Sequence, residues 1–231
     1  MFKLMKLEMK KFKVAGYIKG AIIANLVIIG IMIAGILISK SEGELILNNY
    51  NFAFQMVDSS VKATFIIFAS VLLSKLIIEE YKNGTMTLLF MYPINRKKLI
   101  VAKLIIVLIF TFVAIFLSNI FIDGILIAIN SFTNFIPDEI TKEILSNAII
   151  SINTSAVTSA FMSLIPLYFG MRKKSVPTTI ISSILIVTVM CSNANGFSLS
   201  SIVIIPIIFS FVGAFIAYLS IRNIEHVDVS K

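Results

Sequence analysis

"EEYKNGTMTLLFMYPINRKK", Glu79 to Lys98, lies between two apolar runs and is the longest stretch of the chain that is ill suited to hydrocarbon. Its surroundings make it conspicuous. The 231 residues are 58% hydrophobic, and the mean hydropathy is +0.99. That composition belongs to integral membrane proteins rather than soluble domains. A helix needs about 20 apolar residues to cross a hydrocarbon layer roughly 30 Å thick. Working outward from Glu79 and Lys98, six runs approach that length: Tyr17 to Ser39, Val61 to Ile78, Leu104 to Ile129, Ala148 to Gly170, Ser175 to Cys191, and Ser201 to Ile221. The apolar part of the first is too long for a removable signal, and no small-residue cleavage pattern follows it. The expectation is an all-α integral membrane protein, a single six-span domain over residues 1–231.

Charge sets the expected orientation, because Lys and Arg are disfavoured in loops that cross the membrane. Of the 20 Lys and Arg residues, all but Lys40, Lys62 and Lys142 fall on the side that carries both termini. Glu42, Glu44, Asp58, Asp123, Asp138, Glu139 and Glu143 gather on the other. Both termini, and residues 79–98 with them, are therefore expected in the cytoplasm. The net charge of +8 sits at membrane edges, where topology and anionic headgroups account for it; no nucleic-acid module is visible.

The first sixteen residues place Phe2, Met5, Met9 and Phe12 on one helical stripe flanked by Lys6, Lys10 and Lys13, as in a helix lying in the inner interface. A second strip, Leu4, Leu7 and Val14, points elsewhere and either is incidental or meets a cytoplasmic partner. On the opposite side, "PDEITKEIL" spaces Ile140 and Ile144 for a short amphipathic surface helix, and "SNANGFSLS" is a short uncharged loop.

Catalytic residues are scarce. The single histidine, His226, lies in a polar tail, and the single cysteine, Cys191, has no nearby ligand partners. The glutamate pair of "EEYKN" lacks the nearby arginine and the later histidines of an intramembrane protease. No G-x-x-x-x-G-K run is present, so ATP hydrolysis by this chain is not expected, nor is a bound metal. Asp123 is the one acid within a predicted span; the length of that run places it near the outer end, in or close to water. The spans instead carry hydroxyls. Ser151, Ser155, Ser159 and Ser163 recur every fourth residue beside Thr158, and Thr178, Thr179, Ser182 and Ser183 form a second patch. Such residues allow close helix packing; two adjacent hydroxyl-rich helices could also line a path for an amphipathic substrate, through Ser151, Ser155, Thr158, Ser159, Thr179 and Ser183.

Within the opening stretch, a helix runs through "EEYKN" and Gly84 offers a C-terminal stop. "TMTLLFMY" is apolar but too short to cross, Pro93 breaks regularity, and Asn95 can cap a new helix. The order Glu79 or Glu80, Gly84-Thr85, Leu88-Leu89, Pro93-Ile94-Asn95-Arg96, Ala102-Lys103-Leu104 resembles the cytoplasmic loop between spans two and three of type-2 ABC (ATP-binding cassette) transporter permeases. Asn95 stands where serine is commoner, and the short fifth outer loop departs from the larger drug exporters. The resemblance implies that Glu79, Glu80, Gly84, Thr85, Leu88, Leu89, Pro93 and Arg96 belong to a coupling helix that docks on a separate ATPase subunit, which holds the ATP and magnesium. It also implies two permease chains per transporter, and a substrate such as an antimicrobial or cytolytic peptide or a drug, moved outward. The alternatives are a secondary transporter or channel, and a membrane immunity factor that sequesters its target without transport.

Overall fold

The structure, a computed structural model, describes residues 2–11, 14–42, 49–83, 96–133, 136–138, 140–191, 193–194, 197–198 and 204–222. Residues 84–95, which hold Gly84, Thr85, Leu88, Leu89, Pro93 and the capping Asn95, lie outside this set. The described helices are α1 (Phe2–Lys11), α2 (Val14–Glu42), α3 (Tyr50–Leu73), a π-helical turn (Ser74–Ile78), α4 (Glu79–Lys82), α5 (Arg96–Thr133), α6 (Lys142–Met162), α7 (Ile165–Lys173), α8 (Val176–Cys191) and α9 (Ile204–Arg222). Between α8 and α9, β1 (Asn193–Ala194) and β2 (Phe197–Ser198) pair antiparallel, with Asn193 opposite Ser198.

Among the described residues, five segments are long and apolar enough to cross a membrane: Gly16–Ile38, Tyr50–Lys82, Lys97–Thr133, Lys142–Lys173 and Ile204–Arg222. Helices satisfy their own backbone groups, which hydrocarbon cannot do for them. The fifth predicted span, α8, has 16 residues, or about 24 Å at 1.5 Å per residue.

Three predicted boundaries move. The second span begins at Tyr50 rather than Val61, because Ala53, Val57, Val61 and Phe65 bury one stripe of a helix whose other faces carry the polar residues. An amphipathic turn of this kind looks like a loop when only apolar runs are counted. Among the described residues no separate surface helix forms around Ile140 and Ile144: Ile140 precedes the helix, and Ile144 belongs to α6, which continues as the predicted fourth span. That span then breaks at Ser163–Leu164, with Pro166 in the first turn of α7. Proline has no N–H to donate and its ring crowds the carbonyl four residues back, here that of Met162.

Two apolar clusters fill opposite ends of the bundle. One joins Ala69, Leu73, Ile77, Leu99, Ile100, Val107 and Leu167 with Tyr17, Tyr81, Met171, Val176 and Ile221 at its edge. The other joins Val57, Phe65, Ile115, Ile122 and Ala156, edged by Ile36 and Ile144. α3 is the centre, packed against α5, α6 and α8, while α9 lies on α6 and α7. Gly213 of α9 sits so close to the break that a Cβ there would overlap the Phe161 carbonyl. α2 is peripheral, with only 6% of its apolar span buried.

α1 packs inward through Leu4 and Met5, with Glu8 buried beside them; Leu7 and Met9 are exposed. The inward face therefore cuts across both predicted strips. Its centre is an acid, which helical-wheel reading by hydrophobicity assigns to the solvent side.

Candidate functional site

The helices that flank residues 84–95 meet at a buried charge cluster. Its centre is Lys103, the seventh position past the Arg96 start of α5, which is 0% exposed. Its ammonium donates to the Glu80 carboxylate on α4 and, at 2.7 Å, to the main-chain carbonyl of Leu76 in the π-helical turn. Glu8 of α1 adds a second carboxylate 3.5 Å away. One side chain thus joins the N-terminal helix, the end of the second span and the start of the third.

The local backbone explains the carbonyl contact. In the π-turn the N–H of Glu79 bonds to the Ser74 carbonyl, five residues back. Widening the helix by one residue disturbs the regular i→i−4 pairing and leaves a carbonyl for another donor. π-turns are rare and recur at functional sites. Charged groups in so apolar a setting are costly unless they are paired and hydrogen-bonded. Here a single cation serves two acids and a carbonyl.

Glu80, half of the predicted acidic pair, is therefore inside the cluster, whereas Glu79 is half-buried outside it. Arg96 opens α5. The rest of the predicted coupling set, Gly84, Thr85, Leu88, Leu89 and Pro93, falls outside the described residues. What the cluster can do is hold α1, α4 and α5 together.

The hydroxyls divide between two places. Ser151 is exposed. Ser155 donates to Asp58 of α3 at 2.5 Å, Thr158 bonds back to the carbonyls of Thr154 and Ser155, and Ser159 is buried. On α8, Thr179 bonds the Ser175 carbonyl and presses on Gly170 of α7, where a Cβ would overlap its Oγ1. The Ser183 and Ser70 hydroxyls meet at 2.9 Å. Both patches turn toward α3, and the helix between them separates one from the other.

Sequence reasoning placed Lys103 in the resembling motif without giving it a role, and passed over Glu8 and Asp58 as members of a site. Signals existed. Lys103 follows Leu99–Ala102 and so lies too deep to be only an edge cation, Glu8 falls one turn from Leu4, and Asp58 precedes Lys62 by four residues. The Asp58–Lys62 pair forms, at 2.6 Å.

The chain matches the family model described as "ABC-2 family transporter protein" over residues 4–190. It is 44% identical over 225 residues to a protein of Bacillus subtilis (strain 168) named "Uncharacterized protein YcbO", an alignment covering 97% of this chain and 99% of that one. No solved structure matches it significantly. The match spans every element from α1 to nearly the end of α8, the Lys103 cluster included. This multi-pass membrane protein belongs to the ABC-2 family of transporter proteins.

Proposed function

We propose that the chain is the permease half of an ATP-driven exporter that carries an amphipathic or hydrophobic substrate, such as an antimicrobial or cytolytic peptide or a drug, out of the cell. It crosses the membrane six times with both termini in the cytoplasm. α8 serves as the short span, which local thinning of the bilayer accommodates. The residue charges support this orientation: the Lys103 end is also the end of the lysine-rich α1 and of Arg172, Lys173 and Arg222.

Energy comes from a separate ATPase subunit, which holds ATP and magnesium; this chain hydrolyses nothing. Two permease chains and two ATPases complete the assembly. Residues 79–98 form the cytoplasmic coupling segment, and Leu88 and Leu89 are its apolar foot on the ATPase. An apolar foot exposed in the chain alone requires a partner to cover it.

The observation that carries the coupling role is the Glu80–Lys103–Glu8 cluster directly beside that segment. It gives a push on the loop a buried route into two spans and the N-terminal helix. The test is ATP-dependent uptake of an amphipathic peptide by inside-out proteoliposomes containing this chain and its ATPase. Leu88→Glu with Leu89→Glu removes uptake and ATPase co-purification while the chain remains folded in the membrane. Normal uptake with that double change, or with residues 84–93 scrambled, rules the coupling role out. Uptake by the chain alone under an ion gradient would make it a secondary transporter.

A further inference from the structure

At the end of the bundle away from Lys103, α3, α5 and α6 enclose a second polar cluster. Asp58 of α3 receives three donors: Lys62 Nζ at 2.6 Å, Asn119 Nδ2 at 3.2 Å and Ser155 Oγ at 2.5 Å. Three donors suit an ionised carboxyl, which only accepts. Asp123, one turn beyond Asn119 on α5, is placed differently. It is 7% exposed, and its Oδ1 finds no hydrogen-bond partner among the described residues. The sequence placed it in or close to water; packing between helices has enclosed it instead.

The cation of this cluster, Lys62, is engaged by Asp58, whose carboxylate is near enough to act on Asp123 electrostatically. Glu8 at the other end is better served. Its Oε2 also lacks a hydrogen bond, but the Lys103 ammonium stands 3.5 Å away.

Asn119 shows what Asp123 lacks. Its amide can be set in only one sense, because the Asp58 carboxylate accepts and of the two amide ends only Nδ2 donates. Asn119 Oδ1 is thereby fixed as an acceptor, and this oxygen, in a residue 0% exposed, is also without a partner among the described residues. Residues four apart on a helix are neighbours, with about 5–6 Å between their Cβ atoms. Two partnerless acceptors therefore lie side by side in the packed bundle. An ionised Asp123 would leave both of them empty. A protonated one has an O–H to donate, so a single hydrogen satisfies both oxygens and removes a buried charge. A proton also needs no cavity to occupy.

We propose that Asp123 and Asn119 form a proton-binding site: in the packed bundle Asp123 holds a proton and donates it in a hydrogen bond to Asn119 Oδ1. The charged groups that α3 turns to this site are Asp58 and Lys62, with the Cys191 thiol of α8 beside them. α6 contributes the neutral Ser155, and the α2 residues opposite Ile122 and Leu126 are the apolar Ile29, Met32 and Ile36. Parting of α5 from α3 at this end admits water. The Asp123 O–H bond then breaks, the proton passes to water, and the carboxylate takes its donors from water. The link to transport rests on the export reading, in which this is the outer end and the proton is released outside as that end opens. Proton binding itself requires no ATPase.

The test is infrared spectroscopy of the full chain in phosphatidylcholine nanodiscs at neutral pH. A protonated carboxyl has a C=O band apart from the amide and carboxylate bands. Carbon-13 aspartate shifts this band in the wild type, and Asp123→Asn removes it. Asn119→Leu takes away the acceptor and moves the band to higher frequency. Absence of a label-sensitive band in the wild type overturns the proposal without any variant. A band that persists in folded Asp123→Asn, or stays unmoved in folded Asn119→Leu, overturns it equally. Unfolding by denaturant at about pH 6 and about pH 8 gives a second readout. The packed chain holds a proton that the unfolded chain gives up, so wild type loses stability as pH rises. Asp123→Asn, whose amide donates without a bound proton, loses less over the same interval and at about pH 8 is at least as stable as wild type. An Asp123→Asn chain with the wild-type pH slope overturns the proposal. Failure here leaves the Leu88 and Leu89 experiment standing, and failure there leaves this one standing.

Discussion

The two polar clusters of the bundle are built on the same pair of helices, α3 with its α4 continuation and α5, and they are inverses. At one end a single cation, Lys103, is shared by the carboxylates of Glu80 and Glu8 and by the Leu76 carbonyl. At the other a single carboxylate, Asp58, collects three donors while its neighbour Asp123 keeps an oxygen unengaged among the described residues. The first arrangement joins segments distant in sequence through one side chain. Each leaves a buried acceptor without a hydrogen-bond partner among the described residues, Glu8 Oε2 in the first and Asp123 Oδ1 in the second. Buried charge is thus handled in two ways in one bundle: a cation shared between two acids at one end, and an acid shared between three donors at the other.

The largest effect that would break this contrast is at Lys103. Lys103→Ala strands two buried carboxylates, and unpairing a buried ion costs roughly 3–5 kcal/mol. Denaturant unfolding in micelles should show most of that loss. The triple change Lys103→Met, Glu80→Gln, Glu8→Gln should recover much of it, because neutral groups need no counter-ion. A Lys103→Ala chain as stable as the parent would mean that the cluster holds nothing.

Next is transport. Lys103→Met with Glu80→Gln, if it folds, should keep ATPase binding but lose about tenfold or more of the coupled transport rate, the size expected when one strong charge-assisted contact is removed. ATP turnover measured beside peptide uptake separates coupling from assembly.

Packing at the break between α6 and α7 belongs to neither cluster and gives a scale for both. Gly213→Val forces α9 away from the Phe161 carbonyl and should cost about 1–3 kcal/mol, the usual range for overpacking; the melting temperature of the purified chain reads this. The smallest change is Ser183→Ala. It removes one hydroxyl contact between α8 and α3, and interhelical hydrogen bonds in membranes average about 0.6 kcal/mol. Ser155→Ala should exceed it, because the hydroxyl lost there donates to the Asp58 carboxylate. Equal small losses at the two serines would mean that Asp58 gains little from its third donor.

The apolar runs were legible because hydrocarbon imposes a length and an even composition on whatever crosses it. Tyr50–Ser60 was not, since its apolar residues form one stripe among polar ones and a run-length reading takes it for a loop. The sites were legible as residue types but not as partnerships. Glu80 drew notice beside Glu79, yet choosing between them required knowing which one the π-turn aims at Lys103, and nothing in "SKLII" announces such a turn. Ser155 and Ser183 were marked as one path, but their hydroxyls are directed to different partners on α3. The separation of α6 from α8 depends on how three helices pack, a tertiary fact that spacing within one helix does not encode.

The π-turn also bears on how the chain tolerates insertions and deletions. Each residue advances a regular helix by about 100°, so deleting one residue almost anywhere in α3 would swing every later side chain to a new face. Ser74–Ile78 already contains the extra residue that such a turn accommodates. Removing one residue there converts the turn to ordinary helix with Ala69, Leu73 and Glu80 still facing their present neighbours. The same deletion ten residues earlier would carry Glu80 away from Lys103.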